Sequence, residues 1–399
     1  MTPSDEDAGA IRVLHVTPFF APAWVYGGLV ESAYQFARHL ACAGAAVRVL
    51  TTDANGPGKK LDSAPIAPYA HGDRFEVRYC RRVARQSVSL ELLGALAEQV
   101  RWAQLVHIHA AYSFPTIPTL LAARMLKRPV VWTPHGALQR WSGSRRTRLK
   151  SMWDKLCSMV APGALVLHLT SNSEVEETRA HFPRAAIALI PNGVEIPDSL
   201  RREPRGACLR LGFVGRLDPK KGIENLLAAS RTLKDRSGPV FSLAIAGSGS
   251  RDYEAELRRE IERLDLSGEV AMLGDVRGEE KQRMFGRTDV VVVPSFTENF
   301  AIVVAEALAH GAAVIASHGT PWKEVEHKGC GLWVSNDPSS LADAIYRISS
   351  MPLAEMGERG RRWMAECFSW DKCALEMLAL YKDLIARRGA RRLAAANQL

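Results

Sequence analysis

Short apolar runs typical of buried strands alternate with longer segments of helical periodicity along most of the chain. The first run, residues 11–16, is followed by a glycine-bearing loop and by a helix that starts at about Leu29. Gly44 is placed where a helix commonly ends, and residues 46–51 form the next predicted strand. This strand–helix–strand unit is the building block of a parallel sheet.

The alternation continues on both sides of a charged, proline-containing segment, which predicts two α/β domains. Further strands are predicted at 105–108, 129–132, 165–169, 187–190, 209–214, 241–246, 269–273, 289–293 and 313–316. We therefore predict a first domain over 1–197, a linker over 198–206, a second domain over 207–368 and a C-terminal helical segment over 369–399. The final helix is amphipathic, and we predict that it packs back on the first domain. Two doubly wound Rossmann-like domains would face each other across a ligand-binding cleft.

Composition limits the functional classes. A chain of 399 residues with 47% apolar and 24% charged residues is typical of globular proteins of two domains. The net charge of +9 indicates an anionic partner, either phosphate, an acidic membrane surface or nucleic acid. Seven scattered cysteines without a C-x-x-C pair argue against a disulfide framework or a zinc site. The acidic N-terminus does not resemble a signal peptide, which predicts a cytoplasmic protein.

A basic glycine-bounded loop, Gly215 to Gly222, lies between a predicted strand and a predicted helix. The positive end of a helix dipole favours anions at that position. Arg216 and Lys221 beside it would make a site for a diphosphate. Alternatively, the segment is an ordinary solvated basic turn.

A second candidate is Glu306, the one carboxylate in an apolar helix predicted from Phe300 to Ala309. A helix that is apolar nearly all round is buried, and a buried carboxylate needs a cation or a polar ligand. The hydroxyl groups of a ribose would satisfy it. The alternative is an internal cation, which would make Glu306 structural.

The residues before that helix form a third candidate. Glu298 lies three positions after Ser295, which is capping-box spacing and gives it a structural explanation as a helix starter. At such a helix start the backbone N–H groups of Asn299, Phe300 and Ala301 would be free for a phosphate or sugar oxygen.

Glycines and a histidine follow other predicted strands. Gly27 and Gly28 after the first strand, and Gly247 after a later one, would let the backbone approach a ligand closely. His135 just follows a strand and is predicted to face the cleft, whereas His107 and His109 are interpreted as structural. No G-x-G-x-x-G dinucleotide motif is present.

Two further observations concern metals and membranes. The chain's D-x-D motif, Asp5 to Asp7, lies in the N-terminal tail, so we predict no metal ion and no cofactor. Residues 140–155 combine arginines and lysines with tryptophans in an amphipathic pattern. This pattern predicts either a helix that docks on an anionic membrane surface or an ordinary solvated helix face.

At these residues the chain resembles the retaining glycosyltransferases of the GT-B fold, specifically their fourth sequence family, over nearly its whole length. The resemblance rests on Phe213 to Gly222, Ile190 to Val194, Pro294 to Phe300 and the Glu298/Glu306 pair. It implies that Arg216 and Lys221 hold a donor diphosphate, Glu298 the transferred sugar and Glu306 the ribose. It also implies that His135 lies near the reacting sugar and that Gly27 and Gly28 approach the phosphates. Ala301 departs from the glycine usual in the family, which puts the identity of the donor sugar in doubt.

The resulting expectation is transfer of a hexose from a UDP- or GDP-linked sugar to a saccharide or polyprenyl-linked acceptor, in cell-surface polysaccharide biosynthesis. Such an enzyme would be cytoplasmic and peripheral on the inner face of the membrane. Cations and helix dipoles would stabilise the leaving diphosphate. The alternatives are a nucleotide-sugar epimerase or a phosphorylase-like enzyme of the same fold, and a basic nucleic-acid-binding protein. The last would leave a buried Glu306 without a role, so we predict no nucleic-acid partner.

Overall fold

The structure, a computed structural model, describes residues 9–61, 75–85, 87–138, 147–183, 185–200 and 202–396. The chain divides into two compact units, the first comprising Met1–Gly193 with Trp370–Leu399 and the second Val194–Ser369. The second unit therefore begins before the segment 198–206 that the sequence analysis assigned to a linker.

In the first unit, strands and helices alternate, and the described strands pair in parallel. The elements are β1 (Arg12–Val16), α1 (Gly28–Cys42), β2 (Ala46–Thr52), β3 (Phe75–Cys80), α2 (Leu90–Trp102), β4 (Leu105–His109), α3 (Thr116–Met125), β5 (Val130–Thr133), α4 (Thr147–Val160), β6 (Leu165–Leu169), α5 (Asn172–His181) and β7 (Ala186–Leu189). The sheet order is β3-β2-β1-β4-β5-β6-β7. The central strands β4 and β5 are buried along their whole length, as expected of parallel strands covered on both faces.

The second unit repeats this plan with a smaller sheet. Its elements are β8 (Leu209–Val214), α6 (Ile223–Asp235), β9 (Phe241–Ala246), α7 (Arg251–Arg263), β10 (Val270–Gly274), α8 (Gly278–Arg287), β11 (Val290–Val293), α9 (Ile302–Ala309), β12 (Ala313–Ser317), α10 (Glu324–His327), β13 (Gly331–Val334), α11 (Pro338–Ser349) and α12 (Leu353–Cys367). The order is β10-β9-β8-β11-β12-β13, again parallel. The predicted α/β class with two doubly wound sheets is confirmed.

The last helix, α13 (Trp370–Ala396), belongs to the first unit, where it packs on α1. The ring of Trp370 lies edge-on to Phe36, and the Asp371 carboxylate lies 2.7 Å from Nδ1 of His39. The helix lies within the predicted C-terminal helical segment 369–399.

Two of the described strands, β3 and β13, were not predicted from the sequence. In β3 the polar Glu76 and Arg78 alternate with apolar residues, because one face of this strand is solvated. In β13 the run Gly-Leu-Trp-Val is only four residues long. Neither gives the continuous apolar signal of a central parallel strand.

Candidate active site

The strand order of the second unit defines a crevice at one edge of its sheet. The direction in which successive strands are added to the sheet reverses between β8 and β11, because β9 and β10 extend the sheet to one side and β12 and β13 to the other. In doubly wound sheets, ligands bind outside the carboxyl ends of the strands at such a switch point. The loops that follow β8 and β11 are the basic loop 215–222 and the segment 294–301.

These two loops are held tightly together. The N–H of Phe296 donates to the carbonyl oxygen of Lys220 at 2.8 Å. A Cβ atom on Gly222, which has φ +66°, would lie 2.1 Å from the carbonyl oxygen of Pro294. Only glycine therefore allows the start of α6 to approach the end of β11 this closely.

The loop after β9 joins the same edge. A Cβ atom on Gly247, with φ +140°, would lie 1.8 Å from the carbonyl oxygen of Gly215, and one on Gly249 would lie 2.3 Å from that of Leu217. Gly247, which was predicted to permit close approach to a ligand, thus permits close approach to the neighbouring loop. Gly247 is indispensable for the geometry of the basic loop.

Charged side chains of both loops meet at this edge. Lys221 donates to Oε1 of Glu298, and the hydroxyl of Ser295 donates to the same oxygen at 2.8 Å. Arg216 is exposed and, in the described part of the chain, has no carboxylate partner. Burial, with the neighbouring charge of Lys221, lowers the pKa of Lys220. The three cations of the basic loop, Arg216, Lys220 and Lys221, therefore outnumber the two carboxylates of these loops, Asp218 and Glu298.

The capping-box interpretation of Ser295 and Glu298 is wrong, because α9 begins only at Ile302. The N–H of Glu298 instead donates to the carbonyl oxygen of Gly319 at 2.8 Å, which holds the segment in a non-helical conformation. Ala301, with φ 58° and ψ 64°, occupies the N-cap position in the left-handed region.

That conformation explains where the start of α9 lies. A left-handed residue cannot continue a helix backwards, so the predicted start at Phe300 is two residues early. Among the described residues, no acceptor lies against the N–H groups of Phe300 and Ala301. The N–H groups therefore stay available at the helix start, although the helix begins later than predicted.

Glu306 is partly buried on α9, whose other side chains are mostly buried, as predicted. Its Oε1 accepts a hydrogen bond from Nζ of Lys281 on α8 at 2.6 Å. This cation was not predicted, because the sequence pattern does not show that α8, the helix of Lys281, packs near α9. Oε2 of Glu306 has no partner among the described residues, so one carboxylate oxygen is free for a ligand.

The first unit has the same switch point, here between β1 and β4. The loop after β1 ends at Gly27, with φ 66° and ψ −139°, and α1 starts at Gly28. A Cβ atom on Gly28 would meet nothing within 4 Å, so its small size leaves open space at the helix start. The predicted glycine pair therefore lies at the expected edge of the sheet.

His135 follows β5 in a left-handed turn, with φ 53°, and Gly136 next to it has φ 72°. The N–H of Gly136 donates to the buried carboxylate of Glu174 at 2.7 Å, which anchors the turn. His135 is half-buried. Its Nε2 lies 3.1 Å from Nδ1 of His109.

His135 is one of five histidines that cluster at this edge. His15, His107 and His109 stack within the sheet, and His168 meets His107 edge-on. Burial lowers the pKa of His15 and of His135 to about 3 and that of His168 to about 4. The pKa values of His107 and His109 are also well below the ordinary range, because of burial and neighbouring imidazoles. The cluster is therefore neutral at physiological pH.

Nitrogens of His15, His107 and His109 lie within 4.8 Å of one another, a spacing that would suit a metal ion. Both ring nitrogens of His107 already contact hydroxyl groups, and both of His109 contact imidazoles. A metal ion could bind only by displacing these contacts. The geometry therefore favours a hydrogen-bonded network over a metal centre.

The basic segment 140–155 is described from residue 147 onward, so its first part lies outside the described residues. In α4 four large apolar side chains are exposed, Leu149, Met152, Leu156 and Met159. No helix in the described ranges is both long and apolar enough to cross a bilayer.

Two doubly wound parallel sheets in one chain, with polar loops at each switch point, are the architecture of the GT-B glycosyltransferases. Residues 208–363 match the family described as glycosyl transferases group 1, and residues 26–196 match glycosyltransferase family 4. The chain therefore belongs to glycosyltransferase family 4. The resemblance inferred from the sequence motifs is thereby confirmed.

Known relatives and solved structures agree with this assignment. The chain is 36% identical over 186 residues to an uncharacterized glycosyltransferase, MJ1607, of Methanocaldococcus jannaschii, covering 44% of this chain and 45% of that protein. It is 28% identical over 291 residues to the phosphatidyl-myo-inositol mannosyltransferase of Propionibacterium freudenreichii, covering 69% of each. The first match thus spans less than half of its relative's length.

Among solved structures, Anabaena Alr3699/HepE in complex with UDP and glucose superposes with a TM-score of 0.72. The superposition covers 94% of this chain and all of that one, at 17% identity. This likeness shows the fold. The family matches do not favour the alternative of an epimerase.

Proposed function

We propose that the protein is a retaining, metal-independent hexosyltransferase that uses a UDP- or GDP-linked sugar. The observation that carries this proposal is the meeting of Arg216, Lys221 and Glu298 beside a helix start at the β8/β11 switch point. Departure of a nucleoside diphosphate develops negative charge, which fixed cations and helix dipoles stabilise. The exposed guanidinium of Arg216 has room for a phosphate, and Lys221 retains donors beyond the one that Glu298 accepts.

The roles of the other residues follow from their free atoms. Glu298, held by Lys221 and Ser295, binds hydroxyl groups of the transferred sugar. The free Oε2 of Glu306 accepts from the ribose hydroxyls while Lys281 fixes the carboxylate. The N–H groups of Phe300 and Ala301 are available to phosphate or sugar oxygens.

In the first unit, His135 contacts the reacting sugar in this proposal, and the backbone of Gly27 and Gly28 approaches the phosphates. His135 is half-buried with its Nδ1 lacking a partner among the described residues, so it can bond to a ligand. The open space at Gly28 would admit a phosphate oxygen close to the backbone. For Gly247 the assignment is indirect, since it shapes the loop that carries Arg216.

The acceptor in this proposal is a saccharide or a polyprenyl-linked saccharide of cell-surface polysaccharide biosynthesis. A basic depression of about 540 Å³ in the first unit is lined by Lys60, Arg81 and Arg82 together with Arg85. The Arg82 guanidinium is buried and donates to the carbonyl oxygen of Gly56 at 3.2 Å. This depression suits the phosphate of a lipid-linked acceptor.

The exposed apolar side chains of α4 support docking on a membrane from which such an acceptor would be taken. Met152, Leu156 and Met159 recur at helical spacing, and Arg148 and Lys155 lie on the same helix. Sedimentation with liposomes containing anionic lipid should pellet the protein at low salt. Binding should weaken at high salt and in an Arg148→Ser/Lys155→Ser/Met152→Ser variant. Equal sedimentation of both proteins would show that α4 is a solvated helix face.

A donor screen tests the activity itself. Incubation with UDP- and GDP-sugars should release the nucleoside diphosphate slowly from one of them, and EDTA should not stop the release. Loss of activity with EDTA and recovery with Mg²⁺ or Mn²⁺ would contradict the metal-independent proposal. Tight, salt-sensitive oligonucleotide binding without any release from nucleotide sugars would contradict the enzyme assignment.

A further inference from the structure

The histidine cluster contains two separate hydrogen-bonded chains, which differ in how their ends are satisfied. One runs through Tyr381, His107, Thr133 and His168 to the carbonyl oxygen of Ile190. The other runs from His15 through His109 to His135. Because every imidazole in them is neutral, each ring has one donor and one acceptor.

The first chain has only one arrangement of protons. The carbonyl oxygen of Ile190 is an acceptor, so Nε2 of His168 must donate to it at 2.8 Å. Nδ1 of His168 then accepts from the Thr133 hydroxyl at 2.7 Å, and Thr133 accepts from Nε2 of His107 at 2.7 Å. Nδ1 of His107 accepts from the Tyr381 hydroxyl at 2.5 Å. Every group is satisfied, so this chain is closed.

The second chain has two arrangements. Nδ1 of His15 lies 3.0 Å from Nε2 of His109, and Nδ1 of His109 lies 3.1 Å from Nε2 of His135. Either all three rings carry the proton on Nδ1, or all three carry it on Nε2. The state of one ring therefore fixes the state of the others.

The buried end of this chain selects between the two arrangements. Nε2 of His15 is buried, and no hydrogen-bond partner for it lies among the described residues. If it carried the proton, a buried N–H would lack an acceptor, and orphaned buried N–H groups are rare in proteins. The favoured arrangement places the proton of each ring on Nδ1. His135 then presents Nδ1–H at its free end.

We propose that His109 and His15 are positioning residues that hold His135 in the tautomer with an N–H donor at Nδ1, directed to an acceptor oxygen of the bound sugar nucleotide. This inference rests on the proposed function, since it assumes that His135 contacts the substrate. A donor at this position suits sugar hydroxyl and phosphate oxygens, which accept hydrogen bonds. The neutral ring contributes the hydrogen bond without a charge that burial would penalise.

The tautomer can be measured without any assay of activity. Long-range proton–nitrogen NMR of the full chain with nitrogen-15-labelled histidine distinguishes a protonated from an unprotonated ring nitrogen. Single variants of His15, His109 and His135 assign the signals. At neutral pH we expect Nδ1 of His135 protonated and Nε2 unprotonated. A His135 ring protonated on Nε2, or on both nitrogens, would overturn the proposal.

Kinetics of His109→Phe and His135→Ala separate this inference from the proposed function. His109→Phe keeps a ring of similar size but removes both nitrogens. We expect mixed tautomers of His135 and a kcat about tenfold lower, the loss of roughly one hydrogen bond, with donor KM little changed. The melting temperature should fall, because Nδ1 of the buried His15 loses its acceptor. Full turnover of His135→Ala would refute the role of His135 itself. A strong loss in His135→Ala with unchanged kcat and tautomer in His109→Phe would refute the positioning role alone.

Discussion

The two sheet edges share one strand order and carry opposite kinds of polar chemistry. At the second unit's edge, cations and carboxylates pair directly, Lys221 with Glu298 and Lys281 with Glu306. At the first unit's edge, five histidines bond to one another and to hydroxyl groups, and all are neutral.

This difference shows that topology selects the position of a site but not its chemistry. A leaving diphosphate carries several negative charges, so the edge proposed to hold it needs cations. A sugar presents neutral hydroxyl groups, for which uncharged donors and acceptors suffice, and these lose less on burial. The predictions below test whether the second unit's edge binds the diphosphate and the first unit's edge binds the sugar.

The largest expected effect is the response of the first edge to acid. Below the unfolded-state pKa of about 6.5 the unfolded chain gains protons that the folded cluster excludes. Stability should therefore be constant at high pH, fall as the pH drops from about 6.5 and level off near the folded pKa values, which are about 3 for His15 and about 4 for His168. Each of these histidines should contribute about 1.4 kcal/mol per pH unit within this window.

Urea unfolding at pH 7.5 and pH 5.5 measures this fall in the free energy of unfolding. A His168→Gln variant should show a smaller difference between the two pH values. A variant of the exposed His318 on the second unit, His318→Gln, should behave like the unsubstituted protein. If the free energy of unfolding falls equally in both variants between pH 7.5 and pH 5.5, the histidine cluster is not the source of the pH dependence.

The second prediction concerns turnover at the charged edge. Arg216→Ala should lower kcat/KM at least about tenfold, because one charge-assisted bond to the diphosphate is lost. Lys221→Ala should have a similar effect, with some loss of stability, because Glu298 loses its cation. Arg236→Ala, which removes an exposed arginine of the same unit, is the matched control. Near-normal kinetics of Arg216→Ala at saturating donor would refute the diphosphate assignment.

The third prediction separates ligand binding from structure at Glu306. Glu306→Gln should weaken nucleoside diphosphate binding by about 1–3 kcal/mol. The sequence alone predicts that stability without ligand stays level or rises. The contact with Lys281 reverses that expectation, because the lysine would be left without its partner.

Melting curves of Glu306→Gln and of Lys281→Met/Glu306→Gln, with and without UDP or GDP, resolve the two effects. The double variant should recover stability but not nucleotide affinity. A destabilised Glu306→Gln protein with unchanged affinity would remove Glu306 from the site.

The smallest effect is expected at Ala301. Its left-handed conformation is strained for any residue with a Cβ atom, so Ala301→Gly should raise the free energy of unfolding by up to about 1 kcal/mol. Ala255→Gly in the exposed face of α7 should lower it by about as much. If both substitutions destabilise equally, the strain at Ala301 is not significant.

Sequence periodicity predicted the parallel strands well because buried strands are continuous apolar runs, as in Val290–Val293. It also located the basic loop, since a loop between a strand and a helix is placed at the sheet edge by the fold itself. The strand β3 was missed because its polar residues alternate at a solvated edge.

Contacts between distant side chains could not be predicted in this way. The partner of Glu306 is Lys281, 25 residues away on another helix, and no local pattern connects them. His107 and His109 were interpreted as structural, which fits His107 in the closed chain. The contact of His109 with His135 depends on the order in which β4 and β5 pair. Strand order is a property of the whole sheet.

The most direct test of the account is a titration of UDP and GDP into the unsubstituted protein and into Arg216→Ala and Arg236→Ala. We expect saturable binding of one nucleotide, at least about tenfold weaker in Arg216→Ala and unchanged in Arg236→Ala. Equal affinity in all three proteins, or no saturable binding of either nucleotide, would contradict the claim that the charged edge of the second unit holds the donor diphosphate.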